Sequence, residues 1–379
     1  MRPVCLAALL FCLCLALSAC GAGEVEHQAY ALVLGIDEAE AGGIGLTIRL
    51  PRYGQKPSSD GASGGESDAY MAVSASGDSY AQALEHLQWA VARELNLSQL
   101  KLVVVSEALA ASGAFRDLIS QVAETRHLYT TAGFVVCAGD ARRFVEAEKT
   151  LLGTRLSSEI NAMFRHYAEH GFIPKATLAE LYYATRSGCA DPTGIWGYQG
   201  AGEDGAESAL ALIATDSEAI VEGSDTGAAQ HYLGSAVFHN GRLACKLNAA
   251  ETLYMNLLSG KVGSFDYSFG GRAWPLTSLR GPRHRIHIGE DGVTIEVTVY
   301  CASEEHIPQA LIAAMEADFS SALSGIISRC QSLGVEPFGF SRTAMWHFGT
   351  VEDWQAYDWC SRFSSATVST KVRIVNAPE

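Results

Sequence analysis

The chain has 379 residues, 27 basic and 42 acidic, for a formal net charge of −15, and 48% of it is hydrophobic. That length and apolar content support a sizeable core divided among two or three domains. The acidic balance disfavours nucleic acid, whose phosphates require clustered Lys and Arg, and argues against a polybasic grip on anionic lipid.

Arg2 leads an apolar run from Val4 to Leu17, and Leu17-Ser18-Ala19 closes it directly before Cys20 and Gly21. A basic start, an apolar middle and small residues at the cut have the layout of a secretory signal, assigned to residues 1–19. The run is short for a membrane span, which needs about twenty residues. A cysteine as the first residue after the cut resembles the lipobox of bacterial lipoproteins, where the thiol receives diacylglycerol and the cysteine becomes the mature N-terminus. Cysteine suits this step because the thiolate is the strongest side-chain nucleophile. Cys20 is therefore the expected lipidation site, and the body of the chain is expected to be exported and tethered rather than inserted.

Past the tether, Tyr30 to Ile36 and Ile44 to Leu50 are apolar or β-branched runs around the turn-forming Glu38 to Gly43, the pattern of a hairpin. Gly54 to Asp68 is a Ser, Gly and Asp stretch without periodicity and reads as a loop. Asp78 is placed as an N-cap, and Tyr80, Ala83, Leu84, Leu87, Val91 and Leu95 predict a helix over 79–95. Leu100 to Val105 reads as a buried strand. A helix over 108–125, a strand over 131–137 and a helix over 140–149 follow. Such interleaving argues for mixed α/β layers, with helices packed on one sheet. Two more helices, over 157–170 and 175–187, precede the Gly-rich stretch 188–205, which is the best boundary in the sequence.

Beyond it, Ser208 to Thr215 and Gly234 to Asn240 read as strands, and Asn248 to Leu258 as a helix. Val293, Ile295, Val297, Val299 and Cys301 alternate with Thr294, Glu296, Thr298 and Tyr300, the signature of a half-buried strand. Ile307, Leu311, Met315, Phe319, Leu323, Ile326, Cys330 and Leu333 then share one face of a long amphipathic helix of roughly seven turns. Val368, Val372 and Ile374 alternate with Ser369, Lys371 and Arg373 in a closing strand.

The chemical motifs are thin. Gly61-Ala62-Ser63-Gly64-Gly65 fits G-x-S-x-G, but polar loop flanks it where a nucleophile elbow needs a strand and a helix. Gly200 to Gly205 fits G-x-G-x-x-G, yet a strand-like segment follows and Glu203 and Asp204 would repel a pyrophosphate. His284 and His287, three apart in an extended segment, point to opposite faces and make a poor metal pair. Cys137, Cys189, Cys245, Cys301, Cys330 and Cys360 are scattered without a C-x-x-C pair, and read chiefly as small buried hydrophobes. The aromatic group Phe338, Phe340, Trp346, Phe348, Trp354, Tyr357, Trp359 and Phe363 reads first as core under the long helix. Its sharper reading makes Phe338, Phe340, Trp346, Trp354 and Tyr357 a partner-binding surface.

The closing segment, Val335-Glu336-Pro337-Phe338-Gly339-Phe340 after a long helix and then Trp354-Gln355-Ala356-Tyr357, resembles the Ger(x)C family, the lipoprotein C subunits of spore germinant receptors. Other blocks fit in the same order: Tyr30 to Asp37, Ser76 to Ser79 with Ala83-Leu84, Leu100 to Glu107, Ser158 to Ile160 with Met163-Phe164, and Gly234 to Leu247 leading to Glu251-Thr252. The resemblance implies a three-domain, mixed α/β lipoprotein, with mixed sheets flanked by helices and no catalytic site, and the residue spacing gives no expected metal site. Its domains would cover residues 20–187, 188–281 and 282–379. It would sit lipid-anchored on the outer face of the spore inner membrane, beside the integral A and B subunits, with no cofactor beyond the diacylglycerol on Cys20. The alternative is a solute-binding lipoprotein of a transporter, which would show two similar lobes around a cleft. An exported hydrolase acting through Ser63 is a third reading.

Overall fold

The computed structural model describes residues 27–39, 42–52, 69–126, 128–147, 156–187, 191–199, 230–289 and 292–377. Cys20, the Ser63 motif, the Gly200 to Gly205 motif and the expected strand 208–215 lie outside them.

The first part of the chain runs β1 (Gln28–Tyr30), β2 (Val33–Glu38), β3 (Ile44–Pro51), β4 (Tyr70–Gly77), α1 (Tyr80–Ala90), β5 (Glu94–Asn96) and β6 (Leu102–Ser106). It continues through α2 (Glu107–Ala111), α3 (Phe115–Ala123), β7 (Gly133–Cys137), α4 (Ala141–Ala147), α5 (Leu156–Glu169) and α6 (Leu178–Ser187). Then come β8 (Thr193–Gln199), β9 (Gln230–His239), β10 (Arg242–Leu247) and α7 (Ala249–Leu258). Eight of these strands form one mixed sheet in the order β10-β9-β8-β7-β6-β2-β3-β4, while β1 pairs with β5.

The centre of that sheet, β2, β6, β7 and β8, is parallel and covered on both faces, which is why its strands read as unbroken apolar runs. Alternate residues serve alternate cores. Leu34, Val103, Val105, Phe134 and Val136 pack with Phe115, Leu118 and Ile119 on one face. Val33, Leu102, Val104 and Val135 pack with Phe144, Val145, Leu156 and Ile160 on the other.

The second unit runs β11 (Ser264–Phe269), β12 (Arg272–Gly289), β13 (Gly292–Ser303) and α8 (Gln309–Ser332). It ends with α9 (Phe340–Ala344), a 3₁₀ turn (Met345–His347), α10 (Val351–Tyr357), α11 (Trp359–Ser364) and β14 (Thr367–Asn376). Its four strands are ordered β11-β12-β13-β14, with β13 and β14 parallel. Helix α8 buries Met315, Phe319, Leu323, Ile326 and Cys330 against that sheet, as the periodicity requires, whereas Leu333 at its end is exposed. It also closes the open edge: the amides of Val372 and Ile374 in β14 donate to Ser320 Oγ (3.1 Å) and Glu316 Oε1 (2.9 Å). The mixed sheets flanked by helices and the long C-terminal helix are as expected from the sequence.

Several boundaries differ. The expected division at 188 falls inside the large sheet, because β8, β9 and β10 extend the strands that precede the Gly-rich stretch. The division at 282 falls inside β12, an 18-residue strand that the sequence concealed behind Gly281 and Pro282. Register shifts between Ser278 and Arg283 make bulges there, and a bulge needs no ladder N–H from proline. The helix expected over 108–125 breaks at Ser112-Gly113-Ala114, where Arg242 crosses close enough that a Cβ on Gly113 would lie 2.6 Å from its guanidinium. The helix expected over 79–95 stops at Ala90 and its last turn becomes β5.

Candidate functional site

Gly334 (φ +69°) ends α8 and Gly339 (φ +79°) leads into α9, both in the left-handed region that glycine enters without strain. Between them Glu336 points inward and is 2% exposed. Its Oε1 accepts the Phe340 amide and its Oε2 the Ser341 amide, each at 3.0 Å, so one carboxylate caps the start of α9. Its own amide donates to Asp191 Oδ2 at 2.7 Å, and the Asp191 amide donates back to its carbonyl at 3.1 Å. Asp191 Oδ1 accepts Nδ1–H of His239 at 2.9 Å. Asp191 stands two residues before β8 and His239 ends β9, so these side chains clasp the large sheet to the C-terminal unit.

Burial pushes the Glu336 carboxyl up to about 7; the amides it accepts pull the other way, and the nearby Asp191 carboxylate adds to the rise. The hydrogen bond to Asp191 raises His239 against the effect of burial.

A second set of contacts runs alongside. Asn248 and Glu251 form a capping box at the start of α7, with bonds of 2.8 and 2.9 Å. Arg329 of α8 pairs with Glu251 and donates to the Lys246 carbonyl at 3.1 Å. Lys246 Nζ lies 2.8 Å from Glu107 Oε1 and 4.4 Å above the Trp196 ring. From α7, the buried Asn256 amide donates to the carbonyls of Gly171 (3.1 Å) and Ile173 (3.0 Å). A cleft of about 280 Å³ opens beside the clasp, lined among others by Arg116, Arg186, Asp191, His239 and Trp354.

The five residues expected as a partner surface do not form one. Phe338, Phe340 and Trp354 are core, since Phe338 and Phe340 pack against Phe363 with ring centroids 6.4 and 6.1 Å apart, and Trp354 lies 5.8 Å from Trp359. Tyr357 is half-buried against Phe348, and Trp346 stands out at 85% exposure. His284 and His287 do face opposite ways. His284 packs edge-on against Phe340 and donates from Nε2 to the Leu258 carbonyl at 2.9 Å, while His287 is exposed.

Cys137, Cys301 and Cys330 are buried and unpaired, as small hydrophobes would be; Cys245 and Cys360 are half-buried and also unpaired, and Cys189 lies outside the described residues. Burial pushes Cys245 and Cys360 up to about 11 and Cys301 up to about 12.

Sequence reasoning missed Asp191 and His239 as members of one site. The available signal was Glu336, an acid inside an apolar aromatic block, which has to be either solvated or capped. At the other end of the large sheet, Asp37 plays a similar part. Its carboxylate accepts the Ala141 (2.7 Å) and Arg142 (2.8 Å) amides and caps α4, and Gly35 in the same strand lets α4 approach.

Taken together, the fold and the clasp join a large mixed α/β sheet to a smaller sheet-and-helix unit, fastened by buried polar contacts. The sequence matches the family described as "Spore germination protein N-terminal domain" over residues 22–193, and that described as "Spore germination B3/ GerAC like, C-terminal" over residues 233–375. The chain belongs to this Ger(x)C spore germination family. The crystal structure of the GerBC protein aligns with 90% of this chain and 96% of its own length, at 11% identity and a TM-score of 0.45. None of the curated proteins matches the chain.

Proposed function

We propose that this protein is the lipid-anchored C subunit of a spore germinant receptor, held to the outer face of the spore inner membrane through diacylglycerol on Cys20 and required for nutrient-triggered germination. The observation that supports this reading is an order: the lipobox stands directly before a germination-family match that begins at residue 22 and resumes to residue 375. On this reading the protein is not an enzyme. The integral A and B subunits are its partners and carry the transmembrane and germinant-binding parts.

The clasp around Glu336 suits such a role, because it fixes the two units in one arrangement that partners can recognise. The solute-binding alternative expects two similar lobes, and the eight-stranded and four-stranded sheets are unlike in size, order and connection. The test is germination of spores lacking this gene, complemented with the native chain or with Cys20→Ala, against a panel of nutrients. Restoration of a lost response by the native chain alone is the expected result. An intact response to every nutrient in a strain without redundant receptors refutes it.

A further inference from the structure

The net charge of −15 conceals a local reversal of sign on the C-terminal sheet. Among the described residues, the helices of this unit pack against its inner face, where Val293, Ile295, Val297 and Val299 point. The outer face is exposed. Register places Arg283 beside Thr298 and Lys371, Arg285 beside Glu296 and Ser369, and Arg280 beside Tyr300 and Arg373, so these side chains share that face in adjacent rows. Glu296 is the one acid that β12, β13 and β14 turn outward; it lies 3.8 Å from Arg285, and Arg373 reaches round the sheet edge to Glu316. Asp266 lies further off, on β11. The Arg280 guanidinium carbon lies 3.7 Å from the Tyr300 ring centroid, a cation–π contact on this face.

The composition of the face selects among anionic partners. A protein interface of any strength is anchored by aromatic or aliphatic side chains seated in pockets. Here the cations stand among Thr294, Thr298 and Ser369, and the large apolar side chains these strands expose, Leu279 and Val375, lie toward the Ala302 end, away from Arg283 and Lys371. Dispersed positive charge and hydroxyl donors match a plane of phosphates, where each cation near the surface contributes separately and no pocket is required.

We propose that the outer face of β12, β13 and β14 docks on an anionic lipid surface, with Arg280, Arg283 and Lys371 meeting headgroup phosphates; its location at a membrane rests on the anchored reading above. Such a face would give the chain the cationic grip on anionic lipid that its net charge alone argues against.

The mature chain from residue 20, carrying Cys20→Ala so that no acyl chain contributes, is sedimented with vesicles of phosphatidylcholine alone and of phosphatidylcholine with phosphatidylglycerol. The expected result is salt-sensitive binding to the anionic vesicles only. Combining Arg280→Gln, Arg283→Gln and Lys371→Gln lowers that partition on the order of a hundredfold. The combination Arg280→Lys with Arg283→Lys keeps the charge and keeps the binding, which separates charge from folding. Equal binding of the native and Gln chains, or equal binding to neutral vesicles, overturns the proposal. Face-dependent retention of polyglutamate with none on anionic vesicles also overturns it, and assigns the face to an acidic protein. Because no arm uses the lipid on Cys20, failure here leaves the anchored reading standing, and failure of the Cys20→Ala germination test leaves this result standing.

Discussion

Replacing Glu336 by Gln isolates the charge at the clasp. The carboxylate is fully buried, and burial raises it from an ordinary value of 4.5 to about 7, so between those values the native state holds a proton that the unfolded state has released. Stability from this group is therefore fullest below 4.5, falls as pH rises through about 7, and is level above that. The difference amounts to about 3 kcal/mol. His239 runs in the same direction: raised by its bond to Asp191, its contribution is present below about 6.5 and lost as pH passes its native value. A single pH profile would mix the two, so the Gln variant is compared with the native chain.

Gln offers one oxygen to the Phe340 and Ser341 amides and turns an N–H₂ toward the other, which strands one amide at about 1–3 kcal/mol. Glu336→Ala strands both amides and costs more at every pH. Urea unfolding of the Cys20→Ala chain, followed by tryptophan fluorescence from about pH 4.5 to about pH 8, reads the effect. The native chain is expected to lose about 3 kcal/mol relative to the Gln variant across that window. Parallel profiles for the two chains would falsify the assignment of a protonated, buried Glu336.

The exposed Trp346 and the buried Phe340 separate surface from core. Trp346→Ala should change stability by less than about 0.5 kcal/mol, so a germination defect at normal abundance would mark a partner contact, while normal germination removes Trp346 from any such surface. Phe340→Ala should cost about 3–5 kcal/mol in urea unfolding; a small effect would contradict its place in the core. A Cβ at Gly35 would lie 3.0 Å from Val145 Cγ2 and 3.2 Å from the Ala141 carbonyl. Gly35→Ala is thus expected to lower stability by about 1–3 kcal/mol through overpacking of α4, and an unchanged melting temperature would show that α4 can move away. Asp37→Ala removes the α4 cap at a cost of about 1–2 kcal/mol, read in the same melt. The buried thiols, held protonated by burial, should react with a disulfide reagent far more slowly in the native chain than in urea; fast native labelling of Cys301 or Cys330 would contradict their burial.

Much of the fold was legible because apolar periodicity reports burial on one face or two. Helix α8 and strand β13 came out at nearly the right positions, since every turn of one and every second residue of the other points into a single core. The expected N-terminal signal and Cys20 rest on linear pattern alone and lie outside the described residues. The family blocks were visible for a related reason. Val335 to Phe340, Gly234 to Leu247 and Glu251-Thr252 carry the residues of the two fastenings, and their composition is fixed by what they must satisfy.

What the sequence by itself determined is the secondary structure of its most strongly periodic segments, such as α8 and β13, and the presence of an acid that had to be capped. Tertiary structure alone decided which segments share a sheet, so that β8, β9 and β10 joined the strands before the Gly-rich stretch and Pro282 found room in a bulge of β12. It alone brought Asp191, His239 and Glu336 together from three separate segments, and it alone turned Arg280, Arg283, Arg285 and Lys371 to one face of an otherwise acidic protein. The reason is one of range: periodicity and capping act over a few residues of chain, whereas strand pairing and charge placement depend on neighbours set by chain closure, which no local pattern encodes.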